Sequence, residues 1–348
     1  MIERSRSSTA LLAAAALFVL GSSAGIARAP PSAAAAAQPP AVRATTNTPA
    51  TDLAHSEVHA LAVQGSVYML VGAGGNITVQ IGDDGVLLVD TGLARMSGQV
   101  LAAVRKLSER PIRYIINTHV DADHTGGNEV IAQAGSTIAG GNVVGNIGAS
   151  AGSQAAILAF QAVLDRMASP STGQAGAPQG AWPTETYTTA ERKLFFNGEG
   201  IQMMHIPAAH TDGDTMVFFR RSDVISAGDI FVTNGYPIVD LARGGNIQGV
   251  IAGLNRIIEI AIPADEQEDG TLIIPGHGRL CDVADVVFYQ EMVTIVRDRV
   301  ADMVKRGMTL DQVEAARPTR DYDPRYGSTT GSWTTEKFVA AVYQSLKR

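Results

Sequence analysis

His119-Val120-Asp121-Ala122-Asp123-His124-Thr125-Gly126-Gly127-Asn128 places two imidazoles and two carboxylates within six residues. The stretch follows an apolar, β-rich run, Tyr114-Ile115-Ile116, and precedes small residues that can open a helix. A loop at a strand end presents side chains from a rigid support, which is where function concentrates. Imidazole and carboxylate together are the donor set of a catalytic transition-metal site.

Three later segments repeat the arrangement of an apolar strand followed by a donor. Ile201-Gln202-Met203-Met204-His205-Ile206-Pro207-Ala208-Ala209-His210 leads to His210, and Val224-Ile225-Ser226-Ala227-Gly228-Asp229 to Asp229. Thr271-Leu272-Ile273-Ile274-Pro275-Gly276-His277-Gly278 leads to His277. Four of the seven histidines of the chain fall in such places. Of the others, His55 and His59 read as surface or edge positions and His205 as a satisfied histidine inside a strand.

This ordered set, with the early Val89-Asp90-Thr91-Gly92, resembles the metallo-β-lactamase-fold hydrolase superfamily over roughly residues 58–300. The resemblance implies an α+β fold, a four-layer αββα sandwich. It implies two metal sites, the first made by His119, Asp121 and His210 and the second by Asp123, His124 and His277, with Asp229 bridging them. Asp121 departs from the family pattern, which has histidine there. Asp90 and Asp214 are expected to orient ligands through their free ring nitrogens. Asn117 and Thr118 are expected to be structural. Gly126 and Gly127 are expected to allow close backbone approach and an unusual turn.

Asp121 changes the charge of such a cluster. Two divalent ions balanced by Asp123, Asp229 and a hydroxide leave one positive charge, and Asp121 cancels it. A neutral cluster acidifies water less and favours harder ions. Zinc is the expected ion, with iron or manganese as alternatives; a mononuclear occupancy dominated by the second site competes with the binuclear one.

The chain has 348 residues, 45% of them hydrophobic, enough to bury a sizeable core. Its net charge is −7, and −9 without residues 1–29, which argues against nucleic acid and anionic membrane partners. Arg4 and Arg6, the apolar run Ala10 to Leu20 and Ala27-Arg28-Ala29 read as a signal peptide over 1–29, and hence as periplasmic or secreted localisation without stable membrane insertion after cleavage. Residues 30–51, rich in Ala, Pro and Thr, read as a flexible linker. A hydrolase domain is expected over 52–306 and a helical extension packed on it over 307–348. The lone Cys281 excludes an intrachain disulfide and reads as a buried thiol.

Strands are expected at 58–63, 67–71, 77–81, 85–90, 112–117, 136–139, 194–205, 215–220, 224–227 and 271–274. Helices are expected at 95–108, 128–134, 155–167, 246–260, 283–306, 309–316 and 334–346. Ser169 to Gly180, rich in Pro, Gly, Ser and Gln, reads either as a lid or as an idle loop. Trp182, Asn234 and Tyr236 are candidates for lining a small-molecule pocket.

The expected chemistry is metal-assisted hydrolysis of an ester, lactone, thioester or amide by a metal-bound hydroxide, with Asp123 orienting the nucleophile and passing its proton. A periplasmic β-lactamase and an iron-dependent redox enzyme of the same fold are the competing readings.

Overall fold

In the computed structural model, which describes residues 57–137, 154–169 and 176–347, seven strands pair in chain order into one sheet. They are β1 (His59–Gln64), β2 (Val67–Val71), β3 (Ile77–Gly82), β4 (Gly85–Val89), β5 (Ile112–Ile116), β6 (Ala156–Phe160) and β7 (Glu185–Tyr187). The first four are antiparallel; β4 to β7 run parallel. A second sheet has the order β12-β11-β10-β9-β8, from β8 (Glu191–Phe196), β9 (Glu199–His205), β10 (Thr215–Phe219), β11 (Val224–Ser226) and β12 (Leu272–Ile274).

Alternation along the strands decides the layers. Leu87 and Val89 of β4 join Ile201, Met203, Val217 and Phe219 in the core between the sheets. Val86 and Leu88 face the other way, into a core shared with α1 (Ser97–Leu107) and Ile131 of α3 (Asn128–Gln133). The outer face of the second sheet packs on α5 (Ile247–Ile260), α6 (Val283–Lys305) and α9 (Thr335–Lys347), through Val250, Leu254, Val293, Phe338 and Val342 among others. The result is the αββα sandwich. The described residues lie within the unit that spans residues 47–348. None of their helices is long and apolar enough to cross a membrane.

Two expectations change. Residues 155–167 are not one helix but strand β6 followed by α4 (Gln161–Ala168). The buried run Ala156-Ile157-Leu158 is captured between β5 and β7, with Ile157 opposite Ile115; a short apolar run does not reveal its period by itself. Residues 194–205 are not one strand but the β8–β9 hairpin. Asn197 and Gly198 form its turn with φ of 51° and 75°, the left-handed pair that a two-residue turn requires. The expected strand at 136–139 lies half outside the described residues, and Ser136 and Thr137 are not in a strand. The expected signal peptide and linker lie outside them, as does the middle of the 169–180 stretch. Residues 309–316 and 334–346 form α7 (Leu310–Ala316) and α9; α8 (Asp323–Tyr326) was not anticipated.

Candidate metal centre

The loop after β5 is held by a locked residue at the end of the neighbouring strand β4. Asp90, just past β4, adopts φ of 66°, a left-handed conformation sparsely used by residues other than glycine. Its carboxylate accepts from the Thr118 backbone N–H at 2.8 Å and from the Thr118 hydroxyl at 2.7 Å. Its Oδ2 also meets His124 Nδ1 at 2.7 Å. The short helix α2 (Ala122–Thr125) turns His124 back toward this carboxylate. Asn117 and Asn128 exchange amide hydrogen bonds of 3.0 and 2.8 Å beneath the loop.

Seven donors converge. One group contains His119, Asp121, His210 and Asp229; the other contains Asp123, His124 and His277. Asp229 connects them: its Oδ2 is 3.9 Å from His119 Nε2, and its Oδ1 is 3.2 Å from His124 Nε2 and 3.6 Å from His277 Nε2.

The outer partners fix which ring nitrogen faces inward. His124 Nδ1–H donates to Asp90, and His210 Nδ1–H donates to the Ile238 carbonyl at 2.9 Å. The Thr118 hydroxyl already donates to Asp90, so toward His119 Nδ1, 2.9 Å away, it acts as acceptor. All three Nε2 atoms therefore turn lone pairs into a space lined by carboxylates. His119 Nε2 and Asp229 Oδ1 are buried there without a hydrogen-bond partner, an arrangement that costs free energy unless a cation completes it. The pocket's demand for positive charge also shows in titration. Burial alone would lower the pKa of His210, yet Asp121 and Asp229 lift it to about 9. His124 is driven up against burial by Asp229 and Asp90. Asp229 is held far below the usual carboxylate range, against burial, by His124 and His277. A divalent ion displaces such protons. The donor set therefore fits divalent metal.

Close glycines make room for the cluster. A Cβ on Gly75 would sit 2.4 Å from the His124 ring, and one on Gly276 would sit 2.0 Å from Asp229 Oδ1.

The sequence matches the family model described as the metallo-beta-lactamase superfamily over residues 70–277. The chain belongs to this superfamily. Among solved structures that this superfamily member resembles is the stereoselective inverting sec-alkylsulfatase Pisa1 from Pseudomonas sp., at 14% identity and a TM-score of 0.56. That match covers 83% of this chain and 50% of the alkylsulfatase, so the chain spans about half the length of that enzyme. A metallo-beta-lactamase from Pontibacter korlensis matches at 13% identity and a TM-score of 0.51, over 68% of this chain and 99% of that one. At these identities the likeness is one of fold. No curated protein matches the sequence.

The most consequential contact of this superfamily member was not legible in its sequence. Asp121 Oδ2 faces His210 Nε2 at 3.1 Å and His119 Nε2 at 3.7 Å, while its Oδ1 forms an ion pair with Nη1 of Arg243. Arg243 Nε in turn donates to Asp240 Oδ2 at 2.7 Å. The 238–246 loop carrying Arg243 wraps the His210 turn: Asp240 N–H donates to the His210 carbonyl, and Asp212 N–H donates to the Arg243 carbonyl. The added charge of Asp121 thereby meets a positive charge that Arg243 shares with Asp240. The surplus carboxylate in the loop was a signal that a cation should stand nearby, but not which one.

Other expected roles move. Asp214 does not orient His210; its carboxylate accepts from the Thr211 backbone and hydroxyl, both at 2.8 Å, and shapes the turn instead. Thr118, read as structural, relays Asp90 to His119. Tyr236 does not line a pocket: its ring stacks on Phe338 at 4.6 Å, and its hydroxyl donates to Thr319 O and Asp323. Trp182 is partly buried against the cluster of Ala159, Val163 and Met167 and donates to the Ala177 carbonyl. Asn234 is exposed. Gly126 and Gly127 do approach the backbone closely, at Ala122 O and Thr91 O, but at an ordinary helical φ. His205 stacks on Phe160 at 3.5 Å, and Cys281 is a buried thiol whose pKa burial raises.

Proposed function

We propose that this protein is a metal-dependent hydrolase of small-molecule esters, lactones, thioesters or amides. The supporting observation is the convergence of seven donors, with the lone pairs of His119, His124 and His210 turned inward by outer partners. His119, Asp121 and His210 would hold one ion and Asp123, His124 and His277 the other, with Asp229 between them. Bound divalent ions supply an acidified water and polarise the scissile group. Asp123 is the carboxylate of the second set, its side chain 36% exposed, and Oδ2 lies 3.3 Å from His277 Nε2. Its carboxylate is kept ionised, against burial, by His277 and His124, so it can accept a hydrogen bond from the attacking water and orient it. The buried, high-pKa Cys281 is no nucleophile. With residues 1–29 read as an export signal, the substrate is met in the periplasm or outside the cell.

The test is elemental analysis of protein purified without added metal, followed by ester, lactone, thioester, amide, sulfate-ester and β-lactam substrates with and without chelator. Two zinc equivalents and chelator-sensitive hydrolysis are expected. Fewer than one equivalent overturns the binuclear reading. Iron with redox turnover replaces hydrolysis altogether.

A further inference from the structure

Asp121 stands where the superfamily resemblance calls for a neutral imidazole, and a carboxylate brings two problems to that position. It is shorter, so it must be aimed, and it adds a negative charge. The ion pair with Arg243 answers the first and, its charge being shared with Asp240, part of the second. One oxygen of Asp121 is engaged by the guanidinium, which leaves the other directed at His210 Nε2 and His119 Nε2. Arg243 is itself fixed. Asp240 accepts from Arg243 Nε and from the backbone N–H groups of Ala242 and Arg243, closing a tight turn that ends at Gly244 with φ of 84°. The side chains of Asp121 and Arg243 are 22% and 27% exposed, so the pair is shielded rather than fully solvated.

We propose that Arg243 is the positioning residue for the first metal site, aiming Asp121 as the ligand that stands in for histidine. The inference rests on the metallohydrolase reading. Its consequence is a reversal of sign. With aspartate at 121, removing Arg243 frees the carboxylate to swing away, and outer partners of metal ligands are typically worth about 10–100-fold in affinity. With histidine at 121, Arg243 has no carboxylate there to pair with and points a positive charge at a cation site, so removing it should help binding.

The experiment is a double-mutant cycle with Arg243→Gln, Asp121→His and the double variant. Zinc stoichiometry after dialysis and chelator competition for the weaker-held equivalent are the readouts. Arg243→Gln should weaken that equivalent by about 10-fold or more in the wild-type background. The double variant should hold it more tightly than Asp121→His alone. A change of the same sign in both backgrounds, or none in the wild type, overturns the proposal. If Arg243→Gln does not fold, the comparison of Asp121→His with the double variant still decides. Failure of every variant and of the wild type to bind metal would instead sink the hydrolase reading.

Discussion

One ligand of each set, His124 and Asp121, is held by means opposite to the other's. His124 of the second set is tied to Asp90, a carboxylate 2% exposed that also grips Thr118 twice, so its support is a buried network at the ends of β4 and β5. Asp121 of the first set depends on a half-open ion pair with a loop arginine more than a hundred residues away in the chain. The difference teaches where robustness lies. Buried, multiply bonded carboxylates are expensive to disturb, because each donor they leave behind is stranded without water. A partly exposed pair contributes little to stability and acts mainly through aim and charge.

The largest break in this contrast is expected from Asp90→Ala. It strands the Thr118 N–H, the Thr118 hydroxyl and His124 Nδ1 together, and should cost about 3–5 kcal/mol, read by denaturant unfolding, along with loss of metal at the second site. A loss below that of a surface substitution would show that the network is not a stabilising one. Gly75→Ala comes next. Its Cβ would press on the His124 ring at 2.4 Å, an overpacking that should cost about 1–3 kcal/mol and weaken metal binding at the second site. Unchanged affinity in chelator competition would mean the backbone yields freely there.

The smallest effect concerns His205, which lies outside both ligand sets. Burial against Phe160 lowers its pKa below the usual 6.5, only partly countered by its bond to the Asp214 carbonyl. The unfolded chain therefore takes up the proton first as pH falls. The stability contributed by neutral His205 is present above that value and is lost as pH drops through the folded-state pKa. His205→Gln should flatten the slope of stability against pH just below 6.5, measured by thermal melting of metal-loaded protein. An unaltered slope would assign it to other groups.

The apolar run Val86 to Val89, itself fully buried, is readable because the turn residues Gly82-Asp83-Asp84-Gly85 bound it, and α1 because its helical spacing agrees with the layer it joins. Residues 155–160 were misread because a fully buried parallel strand has no period of its own, and only its neighbours β5 and β7 make it a strand. Asn197-Gly198 is a dipeptide turn signal that by itself divides the 194–205 run into two strands.

By itself the sequence determined the donor types, their order along the chain and the strand-end positions that carry them. These are local properties, set by composition and periodicity within a few residues. The tertiary structure alone decided which nitrogen of each histidine faces inward, that Asp214 shapes a turn while Thr118 relays Asp90, that Tyr236 belongs to the core beside Phe338, and that Arg243 reaches Asp121. Those are contacts between segments remote in sequence, and hydrogen bonding and charge compensation depend on separation in space, on which spacing along the chain is silent.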